Sequence, residues 1–167
     1  MKSVQLADLN AADRERFVEL AGHVVEASPW VAEEAADARP FASKAELHAA
    51  FCRALETGSE SQQLAVIRAH PDLGARLASL GEASAKEQRN AGLAALTDVQ
   101  REQLRELNEA YRVKFGFPFI LAVKGASHAD ILASFEARLP NDLATERATA
   151  LAEIERIIAN RIDDLLA

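Results

Sequence analysis

Thr97-Asp98-Val99-Gln100 opens a stretch that carries Leu104, Leu107 and Tyr111 and closes near Gly116. Its punctuation sets the pattern for the whole chain. The large apolar residues recur three and four positions apart, so they share one helix face. A threonine followed three residues later by glutamine is a helix start signal, because each side chain can satisfy a main-chain N–H left open by the first turn. The device recurs. Ser43-Lys44-Ala45-Glu46 precedes Leu47, Phe51, Ala54 and Leu55 and is closed by Gly58. Ser59-Glu60-Ser61-Gln62 precedes the run that ends at His70, and Ser127-His128-Ala129-Asp130 introduces Ile131, Phe135 and Leu139 before Pro140. Ser28-Pro29 opens a further segment ending near Arg39-Pro40, with proline in the favoured first helical position. An early helix is predicted from about Ala11 to Ala21, stopping near Gly22, and a last one from about Leu143 to the C-terminus. The fold class is therefore all-α: a single compact domain over residues 1–167, with roughly seven or eight helices.

Composition agrees. Hydrophobic residues make up 49% and charged residues 27% of the 167 residues, a globular balance that can fill a sizeable core. The net charge of −7 argues against a general binder of nucleic acid or anionic membranes. No apolar run has the length of a membrane span, and Lys2 is not followed by a secretory signal. Cys52, the one cysteine, has no internal partner for a disulfide, and Leu165-Leu166-Ala167 is not a Ser-Lys-Leu peroxisomal address. A soluble cytoplasmic protein is the expectation.

Three features could carry chemistry. Ala69-His70-Pro71-Asp72-Leu73-Gly74 places a histidine at the end of an apolar helical run, in helical register with Val66 and Ile67. Pro71 lacks an N–H and disfavours helical geometry at His70, so the helix stops there and the imidazole is left at a buried corner. It is either a satisfied core histidine or a proton donor and acceptor near neutrality. Ser84-Ala85-Lys86-Glu87-Gln88 has capping-box spacing. It reads as one more helix start, or as a helix N-terminus whose open N–H groups, with Glu87 and Gln88, suit a heteroatom-rich ligand. Arg161 falls on the apolar stripe of Leu151, Ile154, Ile158 and Leu165. There it snorkels, pairs with an acid, or directs its fork into a pocket.

The segment from Phe115 to Gly125 is apolar, aromatic at its start and broken by Pro118. It is a short buried helix or an extended stretch without a sheet partner. If extended, its N–H and C=O groups need partners from another loop or from a polar ligand. Other chemistry finds no motif. His23, His48 and His128 lack metal-ligand spacing, and no Cys-x-x-Cys, Walker loop, Gly-x-Ser-x-Gly or dinucleotide fingerprint is present. No metal site and no cofactor are expected.

Taken in order, Ser28-Pro29-Trp30, Arg39-Pro40-Phe41, His70-Pro71-Asp72-Leu73-Gly74, Ser84-x-x-Glu87-Gln88, Phe117-Pro118-Phe119 through Gly125, and Arg161 resemble one family. It is the family of 2-oxo-4-hydroxy-4-carboxy-5-ureidoimidazoline (OHCU) decarboxylases, lyases of urate and purine breakdown. The resemblance spans nearly the whole chain. It implies an all-α, metal- and cofactor-free carboxy-lyase, commonly a homodimer, that takes OHCU to S-allantoin. His70, Glu87 and Arg161 would be catalytic by that resemblance. Pro71, Ser84, Ala85, Lys86, Glu87, Gln88, Phe119, Ile120, Leu121, Ala122, Val123 and Arg161 would bind substrate.

The chemistry explains the lack of need for a cofactor. Loss of the carboxylate leaves an electron pair beside a ring C=N bond, so the substrate is its own electron sink. The protein has to orient the carboxylate, stabilise developing charge and deliver a proton to one face. The rival reading is a non-enzymatic helical interaction module, in which His70 is core, Ser84 and Glu87 form a cap and Arg161 is an edge salt bridge. A metal-dependent helical hydrolase is the weaker rival, for want of ligand spacing.

Overall fold

A computed structural model of the chain describes residues 3–74, 82–90 and 92–167. Among these residues there are nine α-helices and no strand. They are α1 (Leu6–Ala11), α2 (Arg14–Ala21), α3 (Pro29–Ala36), α4 (Lys44–Thr57), α5 (Glu60–Arg68), α6 (Glu82–Asn90), α7 (Asp98–Phe115), α8 (His128–Arg138) and α9 (Leu143–Leu165). The all-α expectation holds.

Caps decide where most helices begin. Ser59, Thr97 and Ser127 each accept the N–H of the residue three ahead, and Gln62, Gln100 and Asp130 return the bond. At α4 the reciprocal bond shifts: Ser43 Oγ accepts from Glu46 N–H at 3.2 Å, but the Glu46 carboxylate reaches back to Ala42 N–H at 2.7 Å. Asp13 is a start signal that the apolar spacing hides. Its carboxylate accepts from Arg16 N–H at 2.8 Å and begins α2 at Arg14. The early helix expected from about Ala11 to Ala21 is α2, starting three residues later, and α1 ahead of it adds one helix to the predicted number.

Helix ends follow two rules. Gly116 closes α7 with φ +78°, the left-handed geometry that glycine adopts without penalty. Gly58 closes α4 with an ordinary φ of −63°, so left-handed geometry is not its role. A Cβ at Gly58 would stand 2.7 Å from Trp30 Cη2, and the indole is what demands glycine there.

The chain forms two units, Met1–Ala69 with Glu155–Ala167, and His70–Ile154. In the first, Leu9, Phe17, Val31, Leu47, Phe51, Leu55 and Ile67 are buried together with Ile158 and Ile162 of α9. Phe17 stacks on Phe51 at 6.4 Å and meets Phe41 at 6.2 Å, while the Arg39 guanidinium lies 5.2 Å over its ring. Arg39 also donates to the carbonyls of Ala36, Leu9 and Ala12, and Asn10 exchanges two bonds with the Phe41 main chain. The second unit is built on aromatics. Tyr111 packs against Phe115, Phe117, Phe119 and Phe135, and Phe119 stacks on Phe135 at 3.7 Å. No helix of the described residues is long and apolar enough to cross a membrane.

One titratable pair in the first unit carries a pH signature. Burial, with a hydrogen bond from Glu56 and repulsion by its charge, pushes the Glu155 carboxyl up from 4.5 to about 7. A raised folded-state value favours the protonated form. Its support for the fold is complete below about pH 4.5 and is lost as pH rises through about 7. Glu155→Gln cannot ionise, so it should raise the melting temperature at about pH 8 and leave it nearly unchanged at about pH 4. Thermal melts at the two pH values check this, and equal shifts at both would remove ionisation as the cause.

Candidate active site

His70 follows the end of α5 directly and is 7% exposed, at the corner the proline imposes. The four residues after it leave helical geometry, so their main-chain groups lose their usual partners. Side chains from α6 and α7 supply replacements. Gln88 donates from Nε2 to the Asp72 carbonyl at 3.2 Å and accepts from Gly74 N–H at 3.0 Å. Asn108 donates to the Leu73 carbonyl at 2.9 Å, and Arg101 to the Gly74 carbonyl at 3.1 Å. Arg112 reaches the Asp72 carboxylate at 2.6 Å. Gly74 itself takes φ +80°, with a would-be Cβ 3.3 Å from Leu104 Cδ1. The carbonyls of Asp72, Leu73 and Gly74 and the N–H of Gly74 are therefore held.

This arrangement gives Gln88 a defined part. It is 3% exposed, and both ends of its amide are engaged on the loop that follows His70. The reading of Ser84 as a helix cap is corrected: α6 already begins at Glu82, which leaves Ser84 inside the helix. The side chains of Ser84 and Ala85 lie outside the described residues. Lys86 is exposed, while Glu87 and Pro71 are half-buried. A cleft of about 430 Å³ borders the same loop, lined in part by Gly74, Asp98, Arg101, Asn108 and Arg112; His70 is not among its lining residues.

The segment from Phe117 to Gly125 is neither helix nor strand. Phe119, Ile120 and Val123 are buried, and Leu121 and Ala122 are half-buried. Two of its carbonyls are used: Ile120 accepts from Arg138 at 2.5 Å and Val123 from Ala126 N–H at 3.0 Å. Among the described residues, the N–H groups of Phe119 to Val123 have no hydrogen-bond partner. Buried main-chain donors are nearly always paired, so the N–H groups of the buried Phe119, Ile120 and Val123 are places where a ligand oxygen could bond.

Both segments are tied to one stretch of α7. Asn108 holds the Leu73 carbonyl, and Tyr111, one turn further on, meets Phe119 edge-on at 5.2 Å. Arg161 belongs to the other unit. It is 3% exposed, donates to the Val24 carbonyl at 3.1 Å and lies 3.4 Å from Glu26. Of the readings open for Arg161, pairing with an acid is the one seen. His48 Nε2 contacts the Glu155 carbonyl at 2.9 Å and Cys52 Sγ at 3.2 Å. Burial and the charges of Glu155 and Glu56 push the Cys52 thiol up to about 12, which leaves it a poor nucleophile. Among the described residues no three His, Cys, Asp or Glu side chains converge to hold a metal ion.

Sequence reasoning missed Arg138, Glu146, Tyr111, Asn108 and Arg101. A signal existed for the first: Arg138 continues the stripe of Ile131 and Phe135, just as Arg161 continues that of Ile154 and Ile158.

A family model described as OHCU decarboxylase matches residues 10–163. The chain is 43% identical over 165 residues to the 2-oxo-4-hydroxy-4-carboxy-5-ureidoimidazoline decarboxylase of Halalkalicoccus jeotgali, covering 99% of this chain and 93% of the relative. It is also 43% identical over 162 residues to the protein of that name from Haloferax volcanii, covering 97% and 96%. A crystal structure of (S)-allantoin synthase superposes with a TM-score of 0.80 at 28% identity, over 98% of this chain and 54% of that one. The match thus runs through the His70 corner, α6, the Phe119–Val123 segment and Arg161, and the chain belongs to the OHCU decarboxylase family.

Proposed function

We propose that the chain decarboxylates 2-oxo-4-hydroxy-4-carboxy-5-ureidoimidazoline to S-allantoin, as a cytoplasmic homodimer. The observation that carries this reading is the near end-to-end match to relatives bearing that activity's name. The match from residue 10 to 163 crosses both units, which supports treating residues 1–167 as one OHCU decarboxylase domain. A lone cysteine fits a reducing compartment. Val99 and Val113, 80% and 81% exposed and both on α7, are apolar surface that a second copy would cover.

In this reaction the bond from the ring carbon to the carboxylate breaks, and its electron pair moves toward the neighbouring C=N bond. Carbon dioxide leaves, and a proton is then added to one face of the ureido-bearing carbon. His70 is the proposed acid; its burial, and the bonds that hold the main chain of residues 72–74 beyond it, support that reading. The open N–H groups of Phe119 to Val123 suit the carbonyl and carboxylate oxygens of such a substrate. Pro71 would line the same pocket, with Ser84, Ala85, Lys86, Glu87 and Gln88. Glu87 is proposed to position substrate or tune His70. Arg161 is proposed to offer its planar fork to a carboxylate.

The decisive experiment uses freshly generated OHCU and chiral analysis of the allantoin formed. OHCU also decays unaided, so the protein should raise the rate and yield S-allantoin in excess; unchanged rate and racemic product would overturn the reading. His70→Asn should stay folded while turnover falls by about two to four orders of magnitude. Near-normal turnover in the folded variant would remove His70 from the mechanism. Glu87→Gln keeps length and removes charge, and Arg161→Lys keeps charge and removes the fork. Each should fold normally and lose most activity in the same assay; full activity in both would return these side chains to structural parts.

A further inference from the structure

The second unit buries an ion pair whose third partner is main chain. Arg138 Nε donates to Glu146 Oε1 at 2.8 Å, in a setting where Glu146 is 0% exposed. Tyr111 donates its hydroxyl proton to the same oxygen at 2.7 Å, and Asn141 donates to the other carboxylate oxygen at 3.0 Å. Burial and the bond to Glu146 raise the Tyr111 hydroxyl far above its ordinary value, so it remains a donor. Arg138 Nη2 reaches the Tyr111 hydroxyl oxygen at 3.3 Å. One fork nitrogen is left, and Nη1 donates to the Ile120 carbonyl at 2.5 Å, with the guanidinium 4.2 Å from the centre of the Phe119 ring.

A pair that served packing alone would be complete with its side-chain partners. This one spends a cation on the carbonyl of a segment that has neither helix nor sheet to hold it. The Ile120 carbonyl shares its peptide group with the Leu121 N–H, which is one of the open donors. A charged bond to the oxygen draws electron density across the amide and makes that N–H a stronger donor. Lysine would not serve, because its single nitrogen cannot span Glu146, Tyr111 and Ile120 in one plane.

We infer that Arg138, held by Glu146 and Tyr111, is a positioning residue that fixes the Phe119–Val123 backbone and strengthens its Leu121 N–H toward an anionic or carbonyl oxygen of the substrate. The inference rests on the proposed decarboxylase reading for the identity of that substrate. It does not place Arg138 in contact with the reacting atoms.

Two readouts on Arg138→Lys test it. The first is steady-state kinetics with OHCU. KM should rise on the order of ten- to a hundred-fold, the range for losing one charged hydrogen bond. kcat should change far less, and its pH profile should not shift, because the proton donor is untouched. The second is amide hydrogen exchange at Ala126, whose N–H is bonded to the Val123 carbonyl at 3.0 Å; it should quicken as the segment loosens, with α7 unchanged. Should the lysine variant fail to fold, the charge-free pair Arg138→Met with Glu146→Leu takes its place, since buried pairs are often replaceable by apolar side chains. An unchanged KM and unchanged exchange in a folded variant would overturn the inference. So would failure of both variants to fold, which would make the network a folding element. A native chain inert toward OHCU would sink the decarboxylase reading instead, and the exchange experiment would still decide whether Arg138 holds the segment.

Discussion

A chain made of helices has to find partners for its peptide groups wherever helical geometry stops. Inside a helix each N–H and C=O is satisfied by its neighbours in sequence; at a corner or along an irregular stretch it is not. Residues 72–74 and Phe117–Gly125 are both buried or half-buried for much of their length, so water is a poor substitute. The first stretch is met by Gln88, Asn108 and Arg101. Among the described residues, the second is met only in part, by Arg138 and by Ala126. Where the protein leaves donors unanswered is where a ligand has something to gain.

Arginine is the residue most often used for the purpose. Arg39 serves the carbonyls at the ends of α1 and α3, Arg161 serves Val24, Arg101 serves Gly74 and Arg138 serves Ile120. The planar fork suits the task because it can satisfy an acid and a carbonyl together. Arg138 and Arg161 do so, through Glu146 and Glu26 respectively. Each such arginine stands on an apolar face or at its edge, where a long aliphatic stem is no liability.

How much of this was legible in the sequence depends on the range of the interaction. Caps act over three residues, so Ser59, Thr97 and Ser127 could be read directly, and with them most of the helix boundaries. Asp13 was missed because a hydrophobic pattern continues across it. Gly58 was read as a stop, but the contact that demands glycine there was not legible, since Trp30, its neighbour in space, is far away in sequence. The corner at His70 follows from proline stereochemistry. The Gln88 clamp and the Arg138–Glu146–Tyr111 network do not, because their partners are 14 or 16 residues away in the first case and up to 27 for Arg138 in the second. Family resemblance drew attention to these stretches; only the geometry says which of their atoms are occupied.

The guanidinium-to-carbonyl joints have a consequence of another kind. Neither partner changes protonation at any pH a cell reaches: arginine keeps its charge and a peptide oxygen has none to lose. Buried, they are also poorly reached by mobile ions. The joints themselves are thus insulated from the medium, although the ion pairs beside them, Asp72 with Arg112 and Glu146 with Arg138, still depend on charge. The Glu155 carboxyl, pushed up to about 7 by burial and by Glu56, is by contrast a group that does answer to the medium.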